Sequence, residues 1–356
     1  MKSVLILAPY PLGEAPSQRF RFEHYLPNFK KYGFQYKFQS FWTRNAWDIL
    51  YTKGNFVSKM FYLLIGFFRR LLVVFICHRF DFVFIHREVA PIGPPVFEFI
   101  IAKICKGKII YDFDDAIWLP NTSKANEISS ILKFHHKVAY ICEMSWRISV
   151  GNHFLKEYAQ KFNGYVIVNP TVVDTEKYHN RFKSHDNKHT LAIGWTGTHS
   201  TAKYLKRIEK TLIQLQEEVD FTFLVISNQP PELNGVEYKF ISWKKEDEID
   251  QLLTFDIGIM PLEDKIWEEG KCGFKIIQYL SLGIPAVASP VGVNKNIVRD
   301  NENGFLVNSN DEWYQVLKKL LLETDLRHRF GKRGRDWIIE NYSVLRNEAL
   351  YFSSFE

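Results

Sequence analysis

Two lysines and two glycines of this chain have the types and the spacing needed to hold a diphosphate. Gly270 and Gly273 precede an apolar pattern of helical spacing, and Gly283 stands where that helix would end. The start of a helix offers backbone N–H groups and the positive end of its dipole, which favours a bound phosphate. Lys271 and Lys275 add two cations at that turn. The segment therefore predicts a nucleotide diphosphate site at the beginning of a helix.

A second loop predicts further contacts to the same nucleotide. It follows a short buried run and combines glycines with hydroxyl residues, so that amides and hydroxyls could cradle phosphate oxygens. Lys203 adds charge, and Gln278 can exchange hydrogen bonds with ribose hydroxyls. The alternative is an ordinary glycine turn beside solvated lysines. The residues that we assign to the nucleotide are Gly194, Thr196, Gly197, Thr198, Lys203, Lys271, Gly273, Phe274, Lys275 and Gln278.

Three aspartates end a predicted strand in the N-terminal half of the chain. Asp112, Asp114 and Asp115 suggest a metal site, but a metal ion needs oxygen ligands that converge from several elements. We therefore expect no metal here, and we assign Asp114, Asp115 and Arg87 to catalysis as groups that orient substrate hydroxyls. The alternative is that the aspartates cap the helix that follows.

Charged residues also follow the first and third predicted strands. Arg19 and Arg21 come after a loop rich in proline and glycine, and His86 and Glu88 flank Arg87. Because the carboxyl ends of parallel strands face the ligand crevice, we assign Arg19, Arg21, His86 and Glu88 to binding of an acceptor. For the two arginines, a solvated first helical turn is the alternative.

Strands alternate with helices along the whole chain, which predicts an α/β fold with two doubly wound parallel sheets. The strands are predicted at 3–8, 34–38, 81–86, 108–113, 147–150, 165–168, 191–195, 221–226, 237–240, 257–260, 286–289 and 305–307. Helices of the first half are predicted at 20–32, 57–80, 96–105, 125–146 and 153–162. Two such domains in tandem favour a ligand cleft at the carboxyl ends of the strands.

A polar segment divides the chain. Residues 177–189 are charged and polar, which predicts an interdomain linker. We expect a Rossmann-like acceptor domain at 1–176 and a Rossmann-like nucleotide domain at 190–343. The last residues, 344–356, are predicted to form a helix that packs back on the first domain.

Composition limits the partners and the compartment. The net charge of +6 favours anionic partners, such as a nucleotide, a lipid pyrophosphate or a membrane surface. No recognition motif supports nucleic acid as a partner. The four cysteines are scattered, and the apolar start is too short for a signal peptide, so we expect a cytoplasmic protein.

The segment 57–80 is apolar and basic. Arg69 and Arg70 interrupt two apolar runs, and neither run reaches the length of a membrane span. One interpretation is a helix that lies in the interface plane of the inner membrane face. The interpretation that we favour is a helix buried against the sheet, with Lys59, Arg69 and Arg70 on its solvent side.

Together these motifs resemble the retaining family 4 glycosyltransferases, the group 1 glycosyltransferases of the GT-B fold. The resemblance lies in the segments Ile193–Leu205, Met260–Leu262 with Trp267, Glu269–Gly292, Asn303–Val307, Arg327–Ser343 and, more weakly, Ser17–Arg21, Ile85–Pro91, Tyr111–Trp118 and Asn169–Tyr178. The family usually has two glutamates with seven residues between them in the donor segment. Here Gly270 and Gln278 stand at those positions, and Glu268 or Glu269 would have to substitute for the first.

The resemblance implies a metal-independent transfer of a sugar from a UDP- or GDP-linked donor to an acceptor hydroxyl, with the anomeric configuration retained. No cofactor is implied beyond the nucleotide sugar. The acceptor would be a glycan or a lipid-linked molecule of bacterial surface glycan assembly, met in the cytoplasm or at the inner membrane face. Two alternatives remain open: a sugar-nucleotide epimerase of the same architecture, and a non-catalytic protein that binds nucleotide sugar or membrane.

Overall fold

The structure is a computed structural model that describes residues 1–50, 52, 54–120, 133–185 and 190–356. The chain forms two compact units. Unit 1 comprises Met1–Thr171 and Asn347–Glu356, and unit 2 comprises Val172–Arg346. The predicted linker falls in unit 2 as far as it is described, because its residues 186–189 lie outside the described part.

Each unit contains one six-stranded parallel sheet, which confirms the predicted fold class. Every predicted strand is present with ends within two residues of the prediction. The strands are β1 Lys2–Ala8, β2 Phe34–Ser40, β3 Phe82–His86, β4 Ile109–Phe113, β5 Arg147–Val150, β6 Val166–Val168, β7 Ala192–Thr196, β8 Thr222–Ser227, β9 Lys239–Ser242, β10 Ile257–Met260, β11 Ala286–Ala288 and β12 Gly304–Leu306.

The strands are connected mainly by helices, as parallel strands require. In unit 1 these are α1 Pro16–Arg19, α2 Arg44–Leu50, α3 Phe56–Ile76, α4 Val96–Phe99, α5 Lys137–Met144 and α6 His153–Ala159. Unit 2 begins with α7 His199–Ala202, α8 Glu209–Glu218, α9 Glu248–Leu252, α10 Ile266–Glu269 and α11 Phe274–Ser281. The last four are α12 Asn294–Ile297, α13 Asn310–Leu322, α14 Thr324–Tyr342 and α15 Val344–Ser353, which runs from unit 2 into unit 1.

The strand orders fix where a ligand site belongs in each unit. The order in unit 1 is β2-β1-β3-β4-β5-β6, and the order in unit 2 is β12-β11-β10-β7-β8-β9. The chain therefore reverses its winding direction between β1 and β3 in one sheet and between β7 and β10 in the other. Ligands of doubly wound sheets bind outside the carboxyl ends of the strands at such reversal points.

Two predicted helices differ from the observed ones. The helix predicted at 20–32 is replaced by the short α1 and a 3-10 helix at Glu23–Asn28, which contains Pro27. A proline in a helix interior removes a backbone donor and clashes with the preceding turn, so an α-helix cannot run through it. Of the helix predicted at 125–146, residues 125–132 lie outside the described residues, and α5 begins at Lys137.

The C-terminal residues complete the aromatic core of unit 1. The Tyr351 ring stacks on Tyr25 with centroids 4.1 Å apart, and the Phe352 ring stacks on Tyr32 at the same distance. Phe355 is fully buried. Ring pairs at such distances add to the stability that their burial already provides.

Helix α3 corrects two expectations about the segment 57–80. The side that packs on unit 1 contains Gly66, Arg70 and Val73, and nine large apolar side chains on other positions of α3 are exposed. The prediction of a helix buried against the sheet is therefore wrong for one whole side of it. Arg70, predicted on the solvent side, is fully buried, because its guanidinium donates to three backbone carbonyls at the sheet edge.

Candidate functional site

The site in unit 2 begins at Gly273, directly before helix α11. This residue has a φ of +66°, and a β-carbon there would lie 2.1 Å from Cδ1 of Ile297. Only glycine meets both demands, since other residues rarely adopt this conformation and would also clash. Gly273 therefore fixes where the first turn of α11 stands, close to the reversal point between β7 and β10.

Three lysines gather around two aromatic side chains beside this turn. The Nζ atom of Lys275 lies 5.2 Å from the ring centroid of Trp195, at the end of β7. The Nζ atoms of Lys203 and Lys271 lie 5.1 and 5.9 Å from the ring of Tyr204. An aromatic face attracts a cation at these distances, so the rings help to hold the three charges in place. The structure thus brings together the cations that the sequence predicted on separate loops.

Trp195 also joins the two predicted loops. A β-carbon on Gly197 would lie 2.6 Å from the Trp195 ring, so the turn after β7 lies directly against this side chain. Tyr279 of α11 makes a second connection, because its hydroxyl accepts a hydrogen bond from the amide of Thr196 at 3.0 Å. Burial raises the pKa of Tyr279 well above its usual value, so the hydroxyl stays protonated.

The predicted phosphate cradle after β7 needs correction. The amide of Thr196 is bonded to Tyr279, and the amide of Gly197 donates to the carbonyl of Ile226 at 3.1 Å. Gly194 lies inside β7, where a β-carbon would be 2.0 Å from the Phe255 ring. These three groups therefore serve the fold and are not presented to a ligand. Thr198, which is exposed before α7, remains a candidate.

Two buried polar side chains of this site each have one atom without a hydrogen-bond partner among the described residues. Gln278 is 1% exposed, and its Nε2 atom has no hydrogen-bond partner among the described residues. Glu268 is also buried, and it accepts a hydrogen bond from Tyr204 through Oε1, while Oε2 has none within the same described ranges. An unsatisfied buried polar group costs about 1–3 kcal/mol, so each of them calls for an explanation such as a ligand.

In unit 1, Arg87 forms the centre of a charged cluster at the carboxyl ends of β3 and β4. Its Nη2 atom lies 2.7 Å from Asp114 Oδ1 and 2.6 Å from Asp115 Oδ2. Burial alone would lower the pKa of Arg87, but the two carboxylates outweigh it and raise the pKa. The three residues predicted as catalytic therefore lie together, and all are partly exposed.

The backbone of Arg87 is strained. Its φ is +61°, in the left-handed region that residues with a β-carbon rarely adopt. Its amide donates to the carbonyl of Asp112 at 2.7 Å, and its carbonyl accepts from the hydroxyl of Tyr111 at 2.8 Å. Such strain costs about 1–3 kcal/mol and persists where surrounding bonds impose it, often at functional sites.

The cluster does not resemble a metal site. One guanidinium pairs with both carboxylates, and a bound cation would have to displace it. Within the described part of the chain, no group of three or more His, Cys, Asp or Glu side chains converges in a way that could hold a metal ion.

Arg21 and His86 correct the predicted acceptor contacts. Both side chains are buried and bind Asp112, with His86 Nδ1 at 2.8 Å from Oδ2 and the Arg21 guanidinium at the other oxygen. Burial would raise the pKa of Asp112, but Arg21 and the hydrogen bond from His86 lower it below its usual range. This cluster ties the ends of β3 and β4 to the segment after α1 inside unit 1, and none of its three side chains is exposed to an acceptor.

The other two acceptor candidates keep some exposure. Arg19 is half-buried, with its guanidinium 4.9 Å from the Phe20 ring. Glu88 is 27% exposed and pairs with Lys137 at 2.7 Å. Lys137 is buried and also donates to the carbonyl of Ala90 at 2.8 Å. Through these two contacts, Lys137 connects α5 to the loop after β3.

Sequence reasoning missed the aromatic residues that organise the site in unit 2. Trp195 and Tyr204 flank the loop after β7, and Tyr279 lies one residue after Gln278. Their positions beside the assigned residues were the available signal. An aromatic residue in a buried pattern is assigned to the core by default, and all three are indeed buried.

Comparison with known families and structures adds independent information. Residues 231–337 match the sequence model of the family described as glycosyl transferases group 1. This stretch includes β10, α10, α11 and the two lysines 271 and 275, and it amounts to less than a third of the chain. No curated protein matches the sequence.

Solved structures match the fold over nearly the whole chain. Sucrose-phosphate synthase from Thermosynechococcus elongatus has a TM-score of 0.69 at 12% identity, covering 100% of this chain and 99% of its own. A glycosyltransferase from Rickettsia africae has a TM-score of 0.67 at 15% identity, with 100% and 99% covered. HepE from Anabaena, solved in complex with UDP-glucose, has a TM-score of 0.65 at 13% identity, with 99% of each chain covered. These likenesses show the GT-B fold. The family match and the fold together support a glycosyltransferase with the GT-B fold.

Proposed function

We propose that this chain transfers a sugar from a nucleotide diphosphate sugar to an acceptor hydroxyl and retains the anomeric configuration. The observation that supports it most is the group of three lysines around Trp195 and Tyr204, beside the start of α11. A cationic site at the reversal point of a doubly wound sheet suits a diphosphate. The HepE structures with UDP and UDP-glucose favour UDP over GDP as the nucleotide.

The lysines would act on the leaving group. In the transfer, the bond between the anomeric carbon and the β-phosphate oxygen breaks, and the acceptor oxygen forms a bond to the same carbon. The acceptor proton passes to the departing diphosphate. Negative charge therefore grows on the diphosphate, and fixed cations that face it lower the barrier. Lys203, Lys271 and Lys275 would do what a divalent ion does in metal-dependent transferases.

Gln278 and Glu268 would bind the rest of the donor. The unpartnered Nε2 of Gln278 suits a ribose hydroxyl, and the unpartnered Oε2 of Glu268 suits a hydroxyl of the donor sugar. Of the two glutamates that could replace the missing one, we choose Glu268, because its carboxylate is buried against Tyr204 and next to Lys271.

Arg87, Asp114 and Asp115 would orient the acceptor. Two carboxylates held by one guanidinium keep fixed positions, and carboxylate oxygens are the acceptors that substrate hydroxyls need. This arrangement needs no metal ion. We place the reaction in the assembly of bacterial surface glycans, at the cytoplasmic side of the membrane.

The test combines a binding screen with a product analysis. A thermal-shift series over UDP- and GDP-sugars should identify one donor, because selective binding raises the melting temperature in proportion to affinity. With that donor and a set of acceptors, NMR of the anomeric proton should show the configuration of the donor retained in the product.

Three outcomes would contradict the proposal. Epimer formation from donor alone would indicate a sugar-nucleotide epimerase. Tight binding with neither transfer nor hydrolysis, across lipid-linked and soluble acceptors, would indicate a binding protein. Absence of any stabilisation by nucleotide sugars would remove the donor site altogether.

A further inference from the structure

Helix α3 exposes a continuous apolar stripe on unit 1. We use the name stripe for its exposed side chains, which recur every three or four residues and so share one side of the helix. They are Val57, Met60, Phe61, Leu64, Phe68, Leu71, Leu72 and Phe75, with exposed fractions between 43% and 81%. The helix has 21 residues and is therefore about 31 Å long. Soluble surfaces rarely expose apolar side chains over such a length without a partner.

The opposite side of α3 is anchored to the sheet. Arg70 donates to the carbonyls of Ala8, at the end of β1, and of Val89, in the loop after β3, at 2.8 Å each. A β-carbon on Gly66 would lie 2.4 Å from the Phe41 ring, so helix and core are in close contact there. By length and composition, residues 56–79 could cross a membrane. The anchored Arg70 favours a helix that stays on unit 1 and presents only its stripe.

The apolar surface continues beyond α3. Val96 and Phe99 of α4 and the nearby Ile104 are also exposed. Between the two helices lies a cavity of about 340 Å³ that is lined mainly by apolar residues, among them Phe67, Pro94, Phe97 and Phe134. A cavity of this size and character suits a section of a hydrocarbon chain.

The charges around this surface are positive. Residues 56–79 contain no Asp or Glu, and Arg79, Lys103 and Lys106 are exposed. The Sγ atom of Cys105 lies 3.6 Å from the carbonyl of Val74, so the segment with both lysines lies beside the last turns of α3. An apolar stripe with cations beside it complements the acyl boundary and the anionic headgroups of a bilayer.

We propose that α3 lies in the plane of an anionic bilayer surface, with the stripe at the boundary between headgroups and acyl chains and with Arg79, Lys103 and Lys106 at the phosphates. The acceptor of the sugar is then a lipid-linked molecule, whose chain enters the apolar cavity beside α3. This second part rests on the proposed glycosyl transfer, whereas the bilayer contact stands without it.

Vesicle flotation of the full chain tests the contact. The wild type should float with vesicles of phosphatidylcholine and phosphatidylglycerol, less with phosphatidylcholine alone, and less with rising salt, since charges beyond the Debye length are screened. The triple variant Phe61→Ser, Leu64→Ser, Phe68→Ser should lose at least tenfold in partitioning. Tyr140→Ser with Tyr165→Ser, two exposed aromatics of unit 1 on elements other than α3 and α4, is the matched control and should float like the wild type. The variant Arg79→Glu, Lys103→Glu, Lys106→Glu should lose the preference for anionic vesicles.

Calorimetry with UDP on the same samples separates the two proposals. An unchanged circular dichroism spectrum and urea midpoint of the stripe variant, together with intact UDP affinity, show that both units are folded and assign its loss of flotation to the stripe. Flotation without UDP binding by the wild type would keep the bilayer contact and overturn the proposed function. A wild type that does not float, or a stripe variant that floats unchanged, would overturn the contact. A wild-type dimer that the stripe variant turns into a monomer, without flotation, would assign the stripe to a second copy of the chain.

Discussion

Arg87 shows what a single residue of unit 1 combines: a left-handed backbone, a partly exposed guanidinium and two carboxylate partners. That these three side chains would meet could be predicted, because β3 and β4 are neighbours and each ends at one of the charged groups. The burial of Arg21 and His86 could not be predicted. It depends on Asp112 turning inward, and strand alternation alone does not reveal which aspartate does so.

Replacing Arg87 with lysine should lower turnover about 10- to 100-fold and leave UDP affinity unchanged. Lysine keeps the positive charge but cannot hold two carboxylates with a planar fork, so Asp114 and Asp115 lose their fixed positions. Steady-state kinetics of the transfer and calorimetry of UDP measure the two effects. Arg44→Lys, at an exposed arginine of the same unit outside the proposed sites, is the control. Equal losses of turnover in both variants would argue against the role of Arg87.

Turnover should survive an excess of EDTA. The Arg87 guanidinium already pairs with Asp114 and Asp115, and the lysines of unit 2 supply the positive charge that the leaving group needs. The measurement is product formation with and without chelator. Loss of activity that Mn²⁺ or Mg²⁺ restores would show that a metal site operates in place of the proposed one.

Gly194→Ala should destabilise unit 2 by about 1–3 kcal/mol, the usual cost of overpacking a core. The new methyl group would have to share space with the Phe255 ring. Urea denaturation measures the loss, and Gly164→Ala, where the added group meets open space, is the control. The folded variant should bind UDP with unchanged affinity. A large loss of UDP affinity without any loss of stability in the variant would instead show that Gly194 belongs to the donor site.

At the scale of elements, the strands could be predicted closely because each is a short apolar run between turn residues, and a parallel sheet buries such runs on both faces. The helices were harder to predict from the sequence. Apolar spacing at 20–32 looked helical, but Pro27 and the packing of Tyr25 on the C-terminal Tyr351 impose a different local structure. That contact joins residues from opposite ends of the chain, so no local pattern contains it.

His185, which contacts Gly283 after α11, makes the stability of unit 2 depend on pH. His185 is buried and lies 2.8 Å from the carbonyl of Gly283 through Nε2, and burial lowers its pKa to about 4. In the unfolded chain the pKa of a histidine is about 6.5. Between pH 6.5 and 4, His185 therefore binds a proton in the unfolded chain but stays neutral in the folded unit. This contribution to stability is therefore complete above pH 6.5 and decreases as the pH falls toward 4.

From these pKa values, His185 should account for about 2 kcal/mol of lost stability between pH 7 and pH 5. Urea denaturation of the wild type and of His185→Gln at both pH values isolates this share. The glutamine keeps a donor for the Gly283 carbonyl and has no titration in this range. If both proteins lose the same stability on acidification, His185 is not the group responsible.

At the scale of the whole molecule, the two parallel sheets and the net positive charge could be read from composition and pattern, whereas the exposure of α3 could not. A helix with apolar residues over most of its surface is usually buried, so the sequence favoured the core. Its placement depends on Arg70, whose guanidinium donates hydrogen bonds to carbonyls of β1, of β2 and of the loop after β3. Those partners are distant in sequence, and a basic residue within a helical pattern is expected by default to be exposed to solvent.

The donor site in unit 2 is the central claim, and isothermal titration of UDP into the wild type, Lys275→Ala and Lys271→Ala tests it most directly. We expect Lys275→Ala to weaken binding by about 1–3 kcal/mol, the size of a charge-assisted hydrogen bond, and Lys271→Ala to weaken it by the same amount or less. Lys210→Ala, at an exposed lysine of α8, should bind like the wild type. Unchanged affinity in both donor-site variants, against a wild type that binds UDP, would contradict the assignment of this site.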